Sequence, residues 1–161
     1  MQKISPFLWF DSQAEEAANF YVSIFPNSKI TSVNRYGEAG PGPKGSVMTV
    51  SFELDGEEFT ALNGGPQFNF TAAISFVVHC PTQTDVDYYW DKLTPGGEEI
   101  QCGWLTDKYG LTWQIVPDGF VDIITGDDEE GAQRAMEAMF KMKKLDINVL
   151  RKAYAGEPLS V

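Results

Sequence analysis

The sequence predicts an α+β protein built from two similar halves, each in the order strand, helix and three strands, followed by a helical tail. Short apolar or alternating segments bounded by glycine and proline are typical of strands. Stretches with apolar residues three or four positions apart are typical of amphipathic helices. The same order of elements occurs twice along the 161 residues. Such a repeat suggests two fused units that bury their faces together.

The composition is that of a globular protein, with 43% hydrophobic and 22% charged residues. At this length we expect a single domain that spans residues 1–161. The formal net charge of −11 disfavours binding to nucleic acid, since phosphate backbones repel an acidic surface. No run approaches the roughly 18 apolar residues that a membrane helix needs. The first residues lack the features of a signal peptide, so the prediction is a cytoplasmic protein that binds no membrane.

The chain offers few residues for metal or nucleophilic chemistry: one histidine, His79, and two cysteines, Cys80 and Cys102. The absence of a Cys-x-x-Cys pattern excludes a zinc ribbon and a thioredoxin-type pair. A serine protease triad would have to use His79, and no Gly-x-Ser-x-Gly is present. The glycine-rich phosphate-binding patterns of nucleotide enzymes are missing as well. We therefore interpret His79 as an ordinary residue at a strand end.

The first half contains one predicted helix among four strands: strand 4–10, helix 13–25, and strands 29–36, 47–54 and 58–63. Pro6 places the first strand at an edge or delays its start, because proline donates no ladder hydrogen bond. Asp11 or Ser12 is the predicted N-cap of the helix. Glu15 and Glu16 in its first turn are interpreted as solvated charges that suit the helix dipole.

The second half repeats this order, with strand 73–79, a helix after Thr82, extended pieces 99–104 and 105–107, and strand 111–116. Thr82 and Asp85 have the spacing of a capping box. Val86, Tyr89, Trp90 and Leu93 have the spacing of one buried helix face.

Two further helices are predicted in the tail, over 127–144 and 146–154, the second ended by Gly156. Acidic residues come first and basic residues last in the longer one, which suits the helix dipole. One apolar stripe runs along it: Ala132, Ala135, Met136, Met139 and Phe140. A methionine-rich stripe can be a partner surface. We favour the alternative that it packs on its own domain or in a dimer, since helical apolar stripes usually do.

Several segments together point to one family: residues 4–10, 17–21, 25–28, 59–66, 73–76, 112–117, the tail residues 136–147 and, most specifically, 101–110. They resemble the PhnB-like branch of the vicinal oxygen chelate superfamily, which also contains glyoxalases, bleomycin resistance proteins and extradiol dioxygenases. Members of this branch often carry the label 3-demethylubiquinone-9 3-methyltransferase. The resemblance implies two βαβββ modules, about 3–66 and 72–118, curved into an open barrel around a cleft, with a helical tail at about 127–155. It also implies a homodimer.

Metal-dependent relatives take their ligands from the first and last strands of each module. By this resemblance the final-strand ligand aligns with Gln114, and the matching position in the first half is Thr60. The first-strand positions, near 3–6 and 73–75, hold no histidine. Gln114 is thus the only metal candidate, and a divalent site needs several convergent donors. We predict no cofactor. We keep as an alternative a divalent ion completed by water, substrate or a partner chain.

The motif 101–110 supplies most of the candidate site residues. Cys102 is either a pocket thiol or a small buried residue. Asp107 is either a general base or a turn cap. Trp104, Tyr109 and Trp113 form either an aromatic pocket wall or part of the core. Strand alternation places Trp113 and Gln114 on opposite faces, and we predict Gln114 in the cleft.

The other candidates follow the last strand of the first half. Asn63 and Gly64 could hydrogen-bond a ligand through a side-chain amide and open backbone, or simply make a turn. Phe68 and Phe70 could cover the pocket or form the linker between the halves. Gly64 and Gly65 are followed by Pro66 and not by a helix, so we predict no site for the methyl donor S-adenosylmethionine.

Three functional hypotheses follow. The first is a protein that binds a small organic, planar aromatic molecule in its cleft without the standard metal site; related folds sequester such compounds. The second is an enzyme, such as a lyase, isomerase, oxygenase or the labelled methyltransferase, that uses Gln114 with Asp107 or Cys102. The third is an interaction protein whose C-terminal helices are the working surface.

Overall fold

A computed structural model describes residues 2–159, and the chain divides into two compact units, Met1–Phe70 and Thr71–Val161. Each unit contains one four-stranded mixed sheet. The predicted α+β fold with two βαβββ modules is confirmed.

The first unit has the elements β1 (Phe7–Phe10), α1 (Ala14–Ile24), β2 (Lys29–Arg35), β3 (Val47–Leu54) and β4 (Glu57–Asn63). The strand order is β1-β4-β3-β2, with β1 parallel to β4 and the other pairs antiparallel. β1 begins three residues later than predicted, directly after Pro6, which has no N–H to donate. The N-cap of α1 is Gln13, so the prediction of Asp11 or Ser12 was wrong.

The core of the first unit lies between α1 and one face of its sheet. The buried side of α1 carries three alanines and two larger residues: Ala14, Ala17, Ala18, Tyr21 and Ile24. Small side chains allow the helix backbone to approach the sheet closely, while Tyr21 lies over the ring of Phe52 on β3. Because successive strand residues point to opposite faces, Trp9 and Thr60 lie on the other side of the sheet.

The second unit repeats this arrangement with β5 (Ser75–Cys80), α2 (Gln83–Leu93), β6 (Glu98–Glu99), β7 (Trp104–Thr106) and β8 (Thr112–Pro117). The strand order is β5-β8-β7-β6. The capping box of Thr82 and Asp85 is confirmed. The extended piece predicted over 99–104 is wrong, because β6 ends at Glu99 and the chain turns before Trp104. In that turn Cys102 has a φ of 60°, which no periodicity signals.

Three helices follow β8: α3 (Phe120–Ile124), α4 (Glu129–Phe140) and α5 (Ile147–Ala155). α3 was not predicted, and α4 ends four residues before the predicted Lys144. α5 has the predicted caps, since Asp146 accepts from the N–H groups of Asn148 and Val149 and Gly156 is left-handed. No helix within residues 2–159 has both the length and the apolar character needed to cross a membrane.

The methionine-rich stripe of α4 packs inside its own unit. Met139 joins Leu145 and Leu150 in a buried cluster, against which Met136 also packs. Phe140 is the exception, because 62% of its surface is exposed where the helix ends. The buried part of the stripe is therefore occupied by the chain's own tail.

Leu150→Ala tests how far the second unit depends on this cluster. Leu150 is fully buried, and removing such a side chain costs about 2–5 kcal/mol of the free energy of unfolding, measured by urea denaturation. Leu159→Ala is the control, because 46% of Leu159 is exposed and its loss costs less than about 0.5 kcal/mol. Equal effects of the two substitutions would contradict the assignment of the tail core.

Candidate ligand-binding site

A pocket with a volume of about 740 Å³ opens in the first unit, where β1 and β4 end and α1 begins. The residues after each strand form one side, and the loop 37–46 forms the other. Its lining is Asp11, Ser12, Glu15, Glu16, Tyr36, Pro41, Gly42, Pro43, Ser46, Val47, Asn63, Gly64, Gly65, Pro66 and Gln67. Two predicted site residues, Asn63 and Gly64, are among them.

Asn63 is the polar centre of this pocket. Its Oδ1 accepts from the backbone N–H of Ala14 at 2.8 Å, and its Nδ2 donates to the carbonyl of Val47 at 3.1 Å. The Asn63 carbonyl also accepts from the Tyr36 hydroxyl. The side chain thereby provides α1 with the cap that Gln13 does not supply. Both ends of the predicted ligand-binding amide are engaged in holding the pocket together.

Gly64 lies directly on the indole ring of Trp9. A Cβ atom at this position would come within 2.4 Å of the ring, so only glycine fits. The Trp9 Nε1–H donates to the carbonyl of Gly65 at 2.9 Å, and the Gly64 N–H donates to the carbonyl of Phe10. The backbone here is fixed by the protein, unlike the open hydrogen-bonding groups that the sequence suggested.

Phe68 and Phe70 do not line the pocket. The Phe68 ring packs edge-on against Trp9, with centroids 4.9 Å apart. The Phe70 ring packs in the same manner against Phe10, at 5.2 Å. Within the first unit both residues thus extend the aromatic packing of β1.

The loop 37–46 is closed at its base by backbone hydrogen bonds. The Tyr36 N–H donates to the carbonyl of Ser46, and the Gly45 N–H donates to the carbonyl of Tyr36, both at 2.8 Å. The Tyr36 ring is buried against Gly42. Sequence reasoning identified this segment only as a loop. Its unusual content of glycine and proline was the signal that could have marked it as a pocket wall.

The pocket is acidic. Asp11, Glu15 and Glu16 contribute carboxylates to its lining, and no lysine, arginine or histidine belongs to that lining within the described part of the chain. From the sequence, Glu15 and Glu16 were interpreted as solvated charges at a helix start. Both are indeed exposed, but they also face the pocket opening.

The candidates of the second unit lie on its sheet. Gln114 pairs in register with Val77 on one side and Trp104 on the other, and its Nε2 donates to the Ser75 hydroxyl at 2.8 Å. Trp113 is buried on the opposite face, as alternation predicted. His79 shares the face of Gln114 but is exposed, two residues beyond Val77 on β5.

Asp107 holds the turn before β8. Its Oδ1 accepts from the backbone N–H groups of Tyr109 and Leu111, and its Oδ2 accepts from the indole N–H of Trp113 at 2.9 Å. Only 2% of Asp107 is exposed. The carboxylate therefore acts as a turn cap. It does not suit a general base, which needs an oxygen within reach of a ligand. The ring of Tyr109 belongs to the same turn and is half-buried.

Neither cysteine has the surroundings of a nucleophile. Burial raises the pKa of the Cys102 thiol, and its Sγ lies 3.7 Å from the carbonyl of Met139. Burial and then the charges of Asp85 and Asp118 raise the pKa of Cys80 from 9.0 to about 12. Both thiols stay protonated at neutral pH, whereas a nucleophilic cysteine needs a lowered pKa.

The donors around Gln114 do not fit the metal site of the metal-dependent relatives. Gln114 is flanked by Val77 and Trp104 and bonded to Ser75, and none of these supplies a carboxylate, imidazole or thiolate. The exposed His79 on the same face adds a single imidazole, whereas a divalent site needs several convergent donors. Over residues 2–159, no group of three or more histidine, cysteine, aspartate or glutamate side chains is placed to hold an ion.

Comparison with known proteins decides the family. Residues 2–116 match the family model described as 3-demethylubiquinone-9 3-methyltransferase. The chain belongs to this family. A PhnB protein from Bacillus cereus is 41% identical, with a TM-score of 0.67, over 72% of this chain and 99% of that one.

Two more distant structures resemble this family member. Protein PA1353 from Pseudomonas aeruginosa is 16% identical, with a TM-score of 0.61, over 73% of this chain and 98% of that one. That likeness concerns the fold alone. A glyoxylase/bleomycin resistance protein/dioxygenase domain from Frankia sp. EAN1pec is 17% identical, with a TM-score of 0.42, over 73% of this chain and 92% of that one. No protein of curated function matches the chain.

The family match ends at Val116, before the three C-terminal helices. This match therefore does not test the expectation that residues 136–147 also resemble the family. Residues 117–161 lie outside the matched range.

Asn63→Ala tests the role of the amide in this family member. We expect a loss of about 1–3 kcal/mol in the free energy of unfolding, because the Ala14 N–H and the Val47 carbonyl both lose their partner. Asn19→Ala is the control on α1, since the Asn19 amide is exposed and bonds only within its helix. Losses of the same size in both variants, measured by urea denaturation, would contradict this role.

The raised pKa of Cys80 predicts that the free energy of unfolding falls at high pH. Its pKa is raised from 9.0 to about 12 in the folded state, so the thiolate forms first in the unfolded chain. The stabilisation that the protonated Cys80 thiol gives the folded state is complete below pH 9 and is lost as the pH rises from 9 towards 12. The melting temperature of Cys80→Ala should therefore fall less between pH 9 and pH 11 than that of the unmodified protein. Parallel curves would refute this.

Proposed function

We propose that the protein binds a small polar organic molecule, neutral or positively charged, in the pocket of its first unit. The observation that carries this proposal is the pocket itself, whose volume of about 740 Å³ lies within the range of roughly 300–1,000 Å³ common for ligand sites.

The walls of the pocket are held in place without a ligand. Asn63 fixes the start of α1 and of β3, and hydrogen bonds at Tyr36 close the loop 37–46. A preformed site loses little conformational entropy when it binds, which favours affinity. The groups that remain for a ligand are the hydroxyl of Ser12, the amide of Gln67 and the carboxylates. The Ser46 hydroxyl already donates to the Pro43 carbonyl and can only accept from a ligand.

Charge restricts the ligand class. Asp11, Glu15 and Glu16 repel an anion, and the net charge of −11 acts in the same direction. A protonated amine or a neutral hydroxyl compound meets acceptors instead. Among the lining residues, all of which lie within the described chain, Tyr36 is the only aromatic one. This pocket therefore gives no particular support to the planar aromatic ligand that the sequence suggested.

The family description names a methyl transfer. The glycine pair after β4 is the place where a methyl donor could be sought, but residues 64–74 contain no helix after it. The segment after β4 thus does not provide the strand, glycine turn and helix unit on which such sites are commonly built. We attribute no methyl transfer to them.

The test is a titration of the ¹⁵N-labelled protein with tyramine and with 4-hydroxyphenylacetate, which share a ring and differ in charge. We expect tyramine to shift the backbone amides of Asn63, Gly64 and Gly65, and the acid to leave them unchanged. Ser12→Trp, which places an indole at the pocket wall, should weaken binding at least about tenfold, or about 1.4 kcal/mol.

Ser23→Trp is the matched control, because Ser23 is exposed on α1 outside the pocket lining. It should bind tyramine like the unmodified protein. Shifts centred on Trp104 and Gln114 would overturn the proposal in favour of the second unit's sheet. Failure of tyramine to shift the pocket amides, or equal shifts with both compounds, would overturn it as well.

A further inference from the structure

The loop 100–103, between β6 and β7, has two consecutive residues in the left-handed conformation. Cys102 and Gly103 follow each other with φ values of 60° and 85°. A left-handed conformation is unfavourable for a residue with a side chain, so Cys102 must be held there by contacts. Those contacts come from the segment between α4 and α5.

Two consecutive N–H groups of the loop donate to two consecutive carbonyls of the tail. Cys102 donates to Met142 at 2.9 Å, and Gly103 donates to Lys143 at 2.7 Å. Gly103 also packs tightly against the Leu145 side chain, since a Cβ atom at position 103 would come within 2.9 Å of it. Leu145 itself is fully buried.

Gln83, at the first turn of α2, clasps the other end of this segment. Its Nε2 donates to the carbonyl of Leu145 at 2.9 Å, and its Oε1 accepts from the N–H of Ile147 at 2.9 Å. Beside it, Lys144 forms an ion pair with Asp87 at 2.9 Å. The hydrogen bond from the Lys144 ammonium lowers the pKa of the Asp87 carboxyl, and burial opposes this with a smaller effect.

The loop is in turn bonded to the central strand of the sheet. The carbonyl of Gly103 accepts from the N–H of Ile115 at 2.8 Å, next to Gln114. Gly103 therefore joins the tail on one side to β8 on the other.

We propose that residues 141–147 are a strap that keeps the loop 100–103 in its left-handed conformation, with Gln83 as its clasp. Release of the strap unlocks the loop and exposes the Cys102 thiol. The motif that the sequence suggested as a reactive cysteine site is, in this chain, the docking site of its own tail. This inference is independent of the pocket proposal, which concerns the other unit.

The test is the rate at which N-ethylmaleimide labels Cys102 at a fixed pH, followed by mass spectrometry. Gln83→Ala should raise this rate about tenfold, because the clasp loses its hydrogen bonds to the strap. Cys80 is fully buried and serves as the internal reference for a folded unit. Gln133→Ala is the matched control, since this exposed amide bonds to Glu137 on its own helix. In this variant the labelling rate of Cys102 should stay unchanged.

An unchanged rate for Cys102 in Gln83→Ala would overturn the proposal, as would equal acceleration in Gln133→Ala. Hydrogen exchange of the unmodified protein gives a second measurement that needs no variant. The amides of Cys102 and Gly103 should open together with those of the strap. Protection of these two amides that persists while residues 141–147 exchange would also overturn it.

Discussion

One side chain, the amide of Asn63, determines the shape of the first unit around its pocket. It lies where β4 ends and reaches both the start of α1 and the start of β3. A helix that begins without a side-chain cap of its own must obtain an acceptor from elsewhere, and here it comes from a strand 49 residues away in sequence. This long-range bond, together with the packing of α1 on the sheet, fixes where α1 begins and therefore where Glu15 and Glu16 lie.

Periodicity and turn residues were sufficient for the repeated fold. Alternation located both ends of β3 to the residue, and the capping box located the start of α2. They failed where tertiary contacts override local preference. The cap of α1 comes from Asn63, and the basic residues expected to finish α4 instead form the strap. Neither long-range partner is visible in a single sequence, because local pattern carries no information about distant contacts.

The site was predicted only in part. Asn63 and Gly64 do line the pocket, but as its framework, and the loop 37–46 was missed as a wall. Alternation correctly placed Gln114 on the face opposite to Trp113, and its position in a cleft stays a prediction. The engagement of Asp107 and Cys102 could not be foreseen, since hydrogen-bond partners and burial decide it. The homodimer and the cytoplasmic location stay predictions.

The contact between Gly64 and Trp9 has a consequence for how this sequence can vary. The indole ring occupies the space where a side chain at position 64 would lie, and its N–H is bonded to Gly65. A larger residue at 64 is therefore compatible only with a smaller one at 9, and the smaller one gives up that hydrogen bond. The residue type at one of these two positions therefore restricts the residue type at the other. The back of the pocket is thus shaped by steric exclusion between positions 9 and 64.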